Sequence, residues 1–150
     1  MKEEPLISII IRTKDRPNLL ALALESITKQ THKNIQAIII NDGGCNINEI
    51  TESYTTIIKK VIHINLENKI GRSAAANLGL AKASGEYISF LDDDDTIEPH
   101  HISQLLSLLQ QNPNLLIAYS STQCIDESGH PIQKTFQQDY NTTDLLIGNY

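Results

Sequence analysis

Residues 35–44 have the sequence Ile-Gln-Ala-Ile-Ile-Ile-Asn-Asp-Gly-Gly. A short apolar run rich in β-branched side chains is typical of a strand buried on both faces, as in parallel sheets that are covered by helices. The Asn-Asp-Gly-Gly that follows predicts a turn, because glycine adopts backbone conformations that other residues resist. This stretch therefore predicts a buried strand over residues 35–40 that ends at a polar turn.

The same kind of pattern extends along the chain in both directions. Upstream, residues 6–11 predict another buried strand, and a helix begins near Asp15 and Pro17 and runs to about Gln30. Downstream, we predict a weak helix over 47–56, strands over 61–64, 87–91 and 115–120, helices over 73–83 and from Pro99 to Asn112, a hairpin turning at 126–129, and a further element over 145–150. Strands that alternate with helices predict an α/β domain over residues 1–150, with a mostly parallel, doubly wound sheet and right-handed crossovers.

Composition narrows the functional class. The 150 residues are 40% hydrophobic and carry a net charge of −6, which argues against a nucleic-acid partner, since phosphate backbones require a basic face. The two cysteines, Cys45 and Cys124, have no metal-like spacing, so a disulfide framework or a zinc site is not expected. The first apolar run is too short for a membrane span or a signal peptide. These features together predict a reduced, cytoplasmic setting.

Polar residues follow three of the predicted strands. Thr13 and Asp15 follow the first strand, Asp42 follows the second, and four consecutive aspartates at 92–95 follow the fourth. Ligands of such sheets bind at the carboxyl ends of the strands, so we expect these side chains to converge on one rim.

The four aspartates need compensation. Two carboxylates about 4 Å apart repel by roughly 1 kcal/mol in water and about 4 kcal/mol near a protein surface. Oxygen ligands at a strand end suit Mg²⁺ or Mn²⁺, which take one or two protein carboxylates and complete their shell with diphosphate and water. A solvated acidic loop that caps the next helix is the simpler alternative, but it accounts for only one or two of the carboxylates.

Four segments in this order resemble the pattern of family 2 glycosyltransferases, which have the GT-A fold. The segments are Ile-Ser-Ile-Ile-Ile-Arg-Thr-Lys-Asp-Arg-Pro at 7–17, Ile-Asn-Asp-Gly-Gly at 40–44, Asn-Lys-Ile-Gly-Arg-Ser-Ala-Ala-Ala-Asn-Leu-Gly at 68–79, and Gly-Glu-Tyr-Ile-Ser-Phe-Leu-Asp-Asp-Asp-Asp at 85–95. The resemblance implies a GT-A-like sheet flanked by helices, and residues 145–150 resemble the family's next segment cut short.

The resemblance also implies roles for individual residues. Asp42 corresponds to the carboxylate that contacts the base, usually uracil, and Asp94 corresponds to the metal-binding aspartate, assisted by Asp92. The residues implied in nucleotide-sugar binding are Arg12, Thr13, Lys14, Asp15, Asp42, Lys69, Arg72, Asp92 and Asp93. Because Lys14 stands where the family usually has Tyr, donors with guanosine or deoxythymidine stay open beside uridine.

The implied activity is inverting, metal-dependent transfer of a sugar from a nucleotide-diphosphate sugar to a saccharide or lipid-linked acceptor. A general base is expected beyond Tyr150, so this chain is expected to bind the donor without transferring sugar efficiently. A longer parent protein would allow membrane association.

Two other functional classes remain possible from the residues. Residues 89–96 also fit a haloacid dehalogenase-type phosphohydrolase, with Asp92 as nucleophile and Asp94 as acid/base, although that motif belongs on a first strand. A non-catalytic nucleotide-sugar-binding or receiver-like module is the third class. A receiver requires a lysine after the fifth strand, where this chain has residues 120–123, Ser-Ser-Thr-Gln.

Overall fold

The computed structural model describes residues 4–126 and 128–137. The chain divides into two compact units, Met1–Ser103 and Gln104–Tyr150. The secondary-structure elements, in chain order, are β1 (Ile7–Thr13), α1 (Pro17–Thr28), β2 (Ile35–Asn41), α2 (Asn48–Ser53), β3 (Lys60–Asn65), α3 (Arg72–Leu80), β4 (Tyr87–Asp92), α4 (His101–Gln111), β5 (Thr122–Ile125) and β6 (Pro131–Phe136). In the described part of the chain, no helix is long and apolar enough to cross a membrane.

The first unit contains a four-stranded parallel sheet with the order β3-β2-β1-β4. The four strands predicted in this unit are confirmed, and so are the helices between them. The chain moves from β1 through β2 to β3 on one side, and then returns to place β4 on the other side of β1. The predicted mostly parallel α/β architecture is therefore correct.

One face of the sheet packs against α3. Ile10, Ile38 and Ile40 are fully buried there and contact Ala75 of α3. Gly79 explains how the helix comes so close, since a Cβ at this position would lie 2.5 Å from Cγ2 of Ile10. The Ala- and Gly-rich sequence of α3 thus allows the helix to lie directly on the strands.

The other face of the sheet carries the remaining isoleucines of the central strands, because side chains alternate along a strand. Ile9, Ile11 and Ile39 are fully buried. Helix α2 lies on this side, where the Thr51 hydroxyl is 3.1 Å from Nδ1 of His63 on β3. The Tyr54 hydroxyl donates to the carbonyl of Ala21 and so ties α1 to the end of α2. The two central strands are covered on both faces, as the apolar runs predict.

The second unit contains the antiparallel pair β5-β6. The predicted hairpin is confirmed, and its turn is held by Asp126, whose Oδ1 accepts the backbone N–H groups of Ser128 and His130 at 2.9 Å each. The predicted element at 145–150 lies outside the described residues.

The strand predicted over residues 115–120 is wrong, since no strand forms there in the described chain. The N–H of Leu115 instead closes a turn with the carbonyl of Asn112, and Leu116 is 92% exposed. A strand requires a neighbour that satisfies its backbone groups, and an apolar run does not reveal whether such a neighbour exists.

Candidate functional site

The strand order marks one place in the sheet as a ligand site. The chain reverses its direction of growth between β1 and β4, and in open α/β sheets ligands bind outside the carboxyl ends of the strands at such a point. The register pairs Arg12 of β1 with Asp92 of β4 at these ends. The end of β1 and the acidic run after β4, 80 residues later in the chain, therefore meet directly.

A cleft of about 400 Å³ opens at this point. It is lined by Arg12, Thr13, Lys14, Arg16, Asp42, Lys69, Arg72, Ala75, Asp92, Asp93 and Asp94. The structure thus brings together the residues singled out from the sequence, with the exception of Asp15 and Asp95. Asp15 does not line the cleft, and its Oδ1 accepts the backbone N–H of Cys45 at 2.8 Å.

Asp92, Asp93 and Asp94 each form an ion pair with an arginine, and Arg16 is the partner of the last two. Asp92 accepts from Arg12, its register neighbour, and lies 3.5 Å from Nη2 of Arg72. Asp93 is nearly buried, and its Oδ2 accepts from the hydroxyl of Thr13 at 2.7 Å.

Arg16 is a cleft residue that the sequence reasoning missed. Its Nη1 lies 2.8 Å from Oδ2 of Asp94 and 3.3 Å from Oδ1 of Asp93. The sequence signal was present, because an arginine two residues after the Lys14 position precedes the helix-starting Pro17 and must lie near the end of β1. Its pairing with Asp94 could not be inferred without the β1–β4 register.

Asp95 ends the acidic run that the sequence predicts at this rim, but it does not line the cleft. Burial raises the pKa of its carboxyl above the usual value, and the neighbouring charges of Asp94, Asp92 and Asp93 raise it further. Oxygen atoms of Asp92, Asp94 and Asp95 lie within 4.8 Å of one another. The contribution of the neighbouring aspartates to the pKa of Asp95 reflects the negative charge concentrated at this end of the run.

The acidic run fits a divalent cation on these grounds. Three carboxylate oxygens converge on a small volume, and hard cations such as Mg²⁺ and Mn²⁺ prefer oxygen ligands. The same volume opens on a cleft that also contains Lys69 and Arg72, so negatively charged groups of a ligand would find cations beside the carboxylates.

Asp42, which follows β2, also lines the cleft and has a clear structural contact. Its two carboxylate oxygens accept the backbone N–H groups of Ile70 and Gly71, at 2.6 and 3.0 Å. The carboxylate therefore ties the end of β2 to the loop that precedes α3, and this loop carries Lys69. The remaining lone pairs of the two oxygens are available to a ligand.

Gly43 allows these two loops to approach each other. It has a φ of 74°, and a Cβ there would lie 2.6 Å from the backbone nitrogen of Lys69. The Asp-Gly of the second motif is thus explained by a turn and a close backbone contact at the cleft.

The position of the acidic run bears on the phosphohydrolase alternative. The run follows β4, the fourth strand along the chain and an edge strand of the sheet, whereas the haloacid dehalogenase motif belongs on the first strand. The topology therefore disfavours that alternative.

Glycosyltransferases are similar to this chain in sequence and in fold. The family model described as glycosyl transferase family 2 matches residues 8–148. An uncharacterized glycosyltransferase of Rickettsia bellii is 36% identical over 124 residues, which are 82% of this chain and 18% of that protein. The chain thus spans a minor part of this relative.

Two solved structures are similar in fold. S. aureus TarS 1–349 in complex with UDP-GlcNAc has a TM-score of 0.67 at 21% identity, over 72% of this chain and 32% of that one. The mannosyltransferase PcManGT from Pyrobaculum calidifontis, in complex with GDP-Man and Mn²⁺, has a TM-score of 0.66 at 15% identity, over 84% of this chain and 37% of that one. These likenesses show the GT-A fold, as the motifs implied. The sequence match over almost the whole chain goes further, and by it the chain belongs to glycosyltransferase family 2.

Proposed function

We propose that this chain is the donor-binding part of a glycosyltransferase that moves a sugar from a nucleotide-diphosphate sugar to an acceptor hydroxyl, with inversion and with a divalent cation. The observation that carries the proposal is the cleft itself: Asp42 after β2 and Asp92 and Asp94 after β4 line a single cleft at the point where the sheet reverses its strand order. One ligand can therefore contact a base-binding carboxylate and a metal-binding carboxylate together.

The proposed donor is a UDP-sugar. TarS was solved with UDP and with UDP-GlcNAc. The family resemblance implies that the carboxylate of Asp42 contacts the base. In this chain we assign Asp42, Arg12, Thr13 and Lys14 to the nucleoside side, and we propose that Asp15 supports that side from outside the cleft, through its hydrogen bond from the Cys45 N–H. A guanosine donor is the main competitor, since PcManGT was solved with GDP-Man.

The diphosphate side of the proposed site combines both signs of charge. Lys69 and Arg72 line the cleft and would neutralise phosphate oxygens, while Asp94 and Asp92 would hold Mg²⁺ or Mn²⁺, with Asp93 beside them. When bound, such a cation stabilises charge on the departing nucleoside diphosphate as a Lewis acid. Side chains held in place before the reaction provide the same kind of electrostatic stabilisation without reorganisation.

We further propose that the chain by itself binds the donor but transfers sugar inefficiently. Inverting transfer needs a general base within hydrogen-bond reach of the acceptor hydroxyl, and in the family this base comes well after the metal motif. The chain spans 18% of its Rickettsia relative, so the acceptor, a saccharide or a lipid-linked saccharide, is a property of the whole protein. We place the activity in the cytoplasm.

Calorimetric titration of the chain with UDP, GDP and dTDP, each with and without Mn²⁺, tests this proposal. We expect binding of UDP that depends on Mn²⁺, and we expect Asp94→Asn to weaken it at least about tenfold, since a charged metal ligand is lost. Asp126→Asn is the matched control, because Asp126 serves the hairpin turn of the other unit.

Two results would contradict the proposal. If no nucleoside diphosphate binds in a metal-dependent way, the transferase reading of the cleft fails. If the chain instead hydrolyses a small phosphoester and Asp92→Asn abolishes that activity, the phosphohydrolase alternative is correct. Tighter binding of GDP than of UDP would keep the class of enzyme and change the donor.

A further inference from the structure

We propose that Arg16 is an internal counter-ion that competes with the divalent cation for Asp94 and gives up this carboxylate when a nucleoside diphosphate enters the cleft. The inference rests on the proposed function, because it deepens the account of the same cation and donor site. This competition by Arg16 makes binding of the cation and binding of the diphosphate depend on each other.

The geometry of Arg16 suits this role. Its Nη1 is shared between Oδ1 of Asp93, whose side chain is 8% exposed, and Oδ2 of Asp94, whose side chain is 49% exposed. The guanidinium is therefore anchored near a buried carboxylate and extends over the exposed one. Asp94 is also one of the three aspartates whose oxygens converge.

A cation and the guanidinium cannot use Asp94 in the same way at the same time. Arg16 occupies Oδ2 of Asp94 at 2.8 Å, and a divalent cation beside that oxygen would repel the guanidinium. The cation must therefore break this contact before it can use that oxygen, and the cost lowers its affinity when it binds alone.

Arg16 is free to move without disturbing the fold. It stands at the N-cap of α1, where its backbone carbonyl accepts from Leu20, but its side chain makes no capping hydrogen bond. The side chain is also 50% exposed. Rotation of the side chain would therefore leave the helix start intact.

The other arginines of the cleft are less suited to competition. Arg12 projects from the central strand β1 and pairs with its register neighbour Asp92, which fixes it in place. Arg72 is strongly exposed and lies 3.5 Å from Asp92, at the limit of a hydrogen bond. Arg16 is the arginine that combines a firm contact with freedom to leave.

A diphosphate in the cleft changes this balance. Arg16 lines the same cleft as Lys69 and Arg72, so a diphosphate offers its guanidinium a second anion. Arg16 can then leave Asp94 with little loss of interaction energy, because its guanidinium pairs with the diphosphate instead. The cation therefore binds Asp94 more tightly. By thermodynamic linkage, the cation increases the affinity for the diphosphate by the same factor.

The experiment measures the Kd of Mn²⁺ by electron paramagnetic resonance of the free ion, with and without saturating UDP, for the wild-type chain and Arg16→Gln. Without UDP, we expect Arg16→Gln to bind Mn²⁺ about threefold to fivefold more tightly, the size expected when a half-exposed ion pair no longer has to break. We expect UDP to tighten Mn²⁺ binding less in Arg16→Gln than in the wild type.

Two further variants separate this role from a general effect of charge. Lys14→Gln removes another cation of the cleft, one that forms no ion pair in the described chain. It is compared only without UDP, because Lys14 is assigned to the nucleoside side, and there it should change Mn²⁺ affinity less than about twofold. Arg16→Lys keeps the charge, but its ammonium is on a shorter side chain and is more strongly hydrated, so its contact with Asp94 should be weaker and the Mn²⁺ affinity should fall between those of the wild type and Arg16→Gln. Circular dichroism checks that each variant is folded.

The outcomes distinguish this inference from the proposed function. Equal or weaker Mn²⁺ binding by Arg16→Gln without UDP would overturn the inference, even if Mn²⁺-dependent UDP binding is intact. An equal effect of Lys14→Gln would also overturn it, because the effect would then be one of general charge. Tighter Mn²⁺ binding by Arg16→Gln, with no binding of UDP or GDP by any of these proteins, would support the competition and overturn the proposed function.

Discussion

Asp42→Asn tests whether the second motif has a structural role that is separate from ligand binding. The Asp42 carboxylate accepts two backbone N–H groups, from Ile70 and Gly71, and is itself buried. Hydrogen bonds to a charged acceptor contribute about 1.5–3 kcal/mol each. The asparagine keeps one acceptor oxygen but turns an NH₂ group toward the other N–H, so one bond is lost and two donors face each other.

We therefore expect Asp42→Asn to lower the free energy of unfolding by about 2 kcal/mol. For a chain of this length, this corresponds to a decrease in Tm of roughly 4–8 °C. Urea and thermal denaturation followed by circular dichroism measure the loss. Hydrogen exchange locates it, because the amides of Ile70 and Gly71 should lose protection while those of the central strands keep theirs.

Asp15→Asn is the matched control for this variant. Asp15 accepts a single backbone N–H, from Cys45, on an exposed loop, and its φ of 55° is tolerated by asparagine. We expect a loss below about 1 kcal/mol. The reasoning is refuted if the Ile70 and Gly71 amides exchange equally fast in the wild type and in Asp42→Asn, or if the two variants destabilise the chain equally.

Two further predictions concern packing and charge. Gly79→Ala should destabilise the chain by about 1–3 kcal/mol, because the new Cβ would lie 2.5 Å from Cγ2 of Ile10. Urea denaturation measures this loss. An unchanged urea midpoint would show that α3 is not held so close to the sheet. Asp95→Asn should stabilise the chain at pH 7 in the absence of divalent cations, by a few tenths of a kcal/mol once solvent screening of this partly exposed group is allowed for. Because the pKa of Asp95 is raised in the folded chain, its ionisation lowers the free energy of unfolding. This destabilisation is absent below the usual pKa of 3.8 and develops as the pH rises through the folded-state pKa. The gain in stability from Asp95→Asn should therefore become smaller in acid. If urea denaturation shows that Asp95→Asn stabilises the chain by the same amount at every pH, the charge of Asp95 is not the cause.

Much of the fold could be predicted from the chain because its central strands are unusually clear. The isoleucine runs of β1 and β2 are buried on both faces, and such strands show in the sequence as continuous apolar segments. Residues 115–120 show the limit of this logic, since the same kind of run forms no strand there. Apolar character is a property of the segment, whereas a strand also depends on a neighbour.

The sequence by itself determined the parallel α/β architecture, the family, and the set of polar residues at the strand ends, because these follow from local composition and from motif order. Only the tertiary structure decided how the charges pair. The register of β1 against β4 places Arg12 beside Asp92 and brings Arg16 to Asp94, and the close approach of two loops puts the Ile70 and Gly71 amides on Asp42. Such pairings depend on distances of a few ångströms between segments far apart in the chain, and no local pattern of residues encodes those distances.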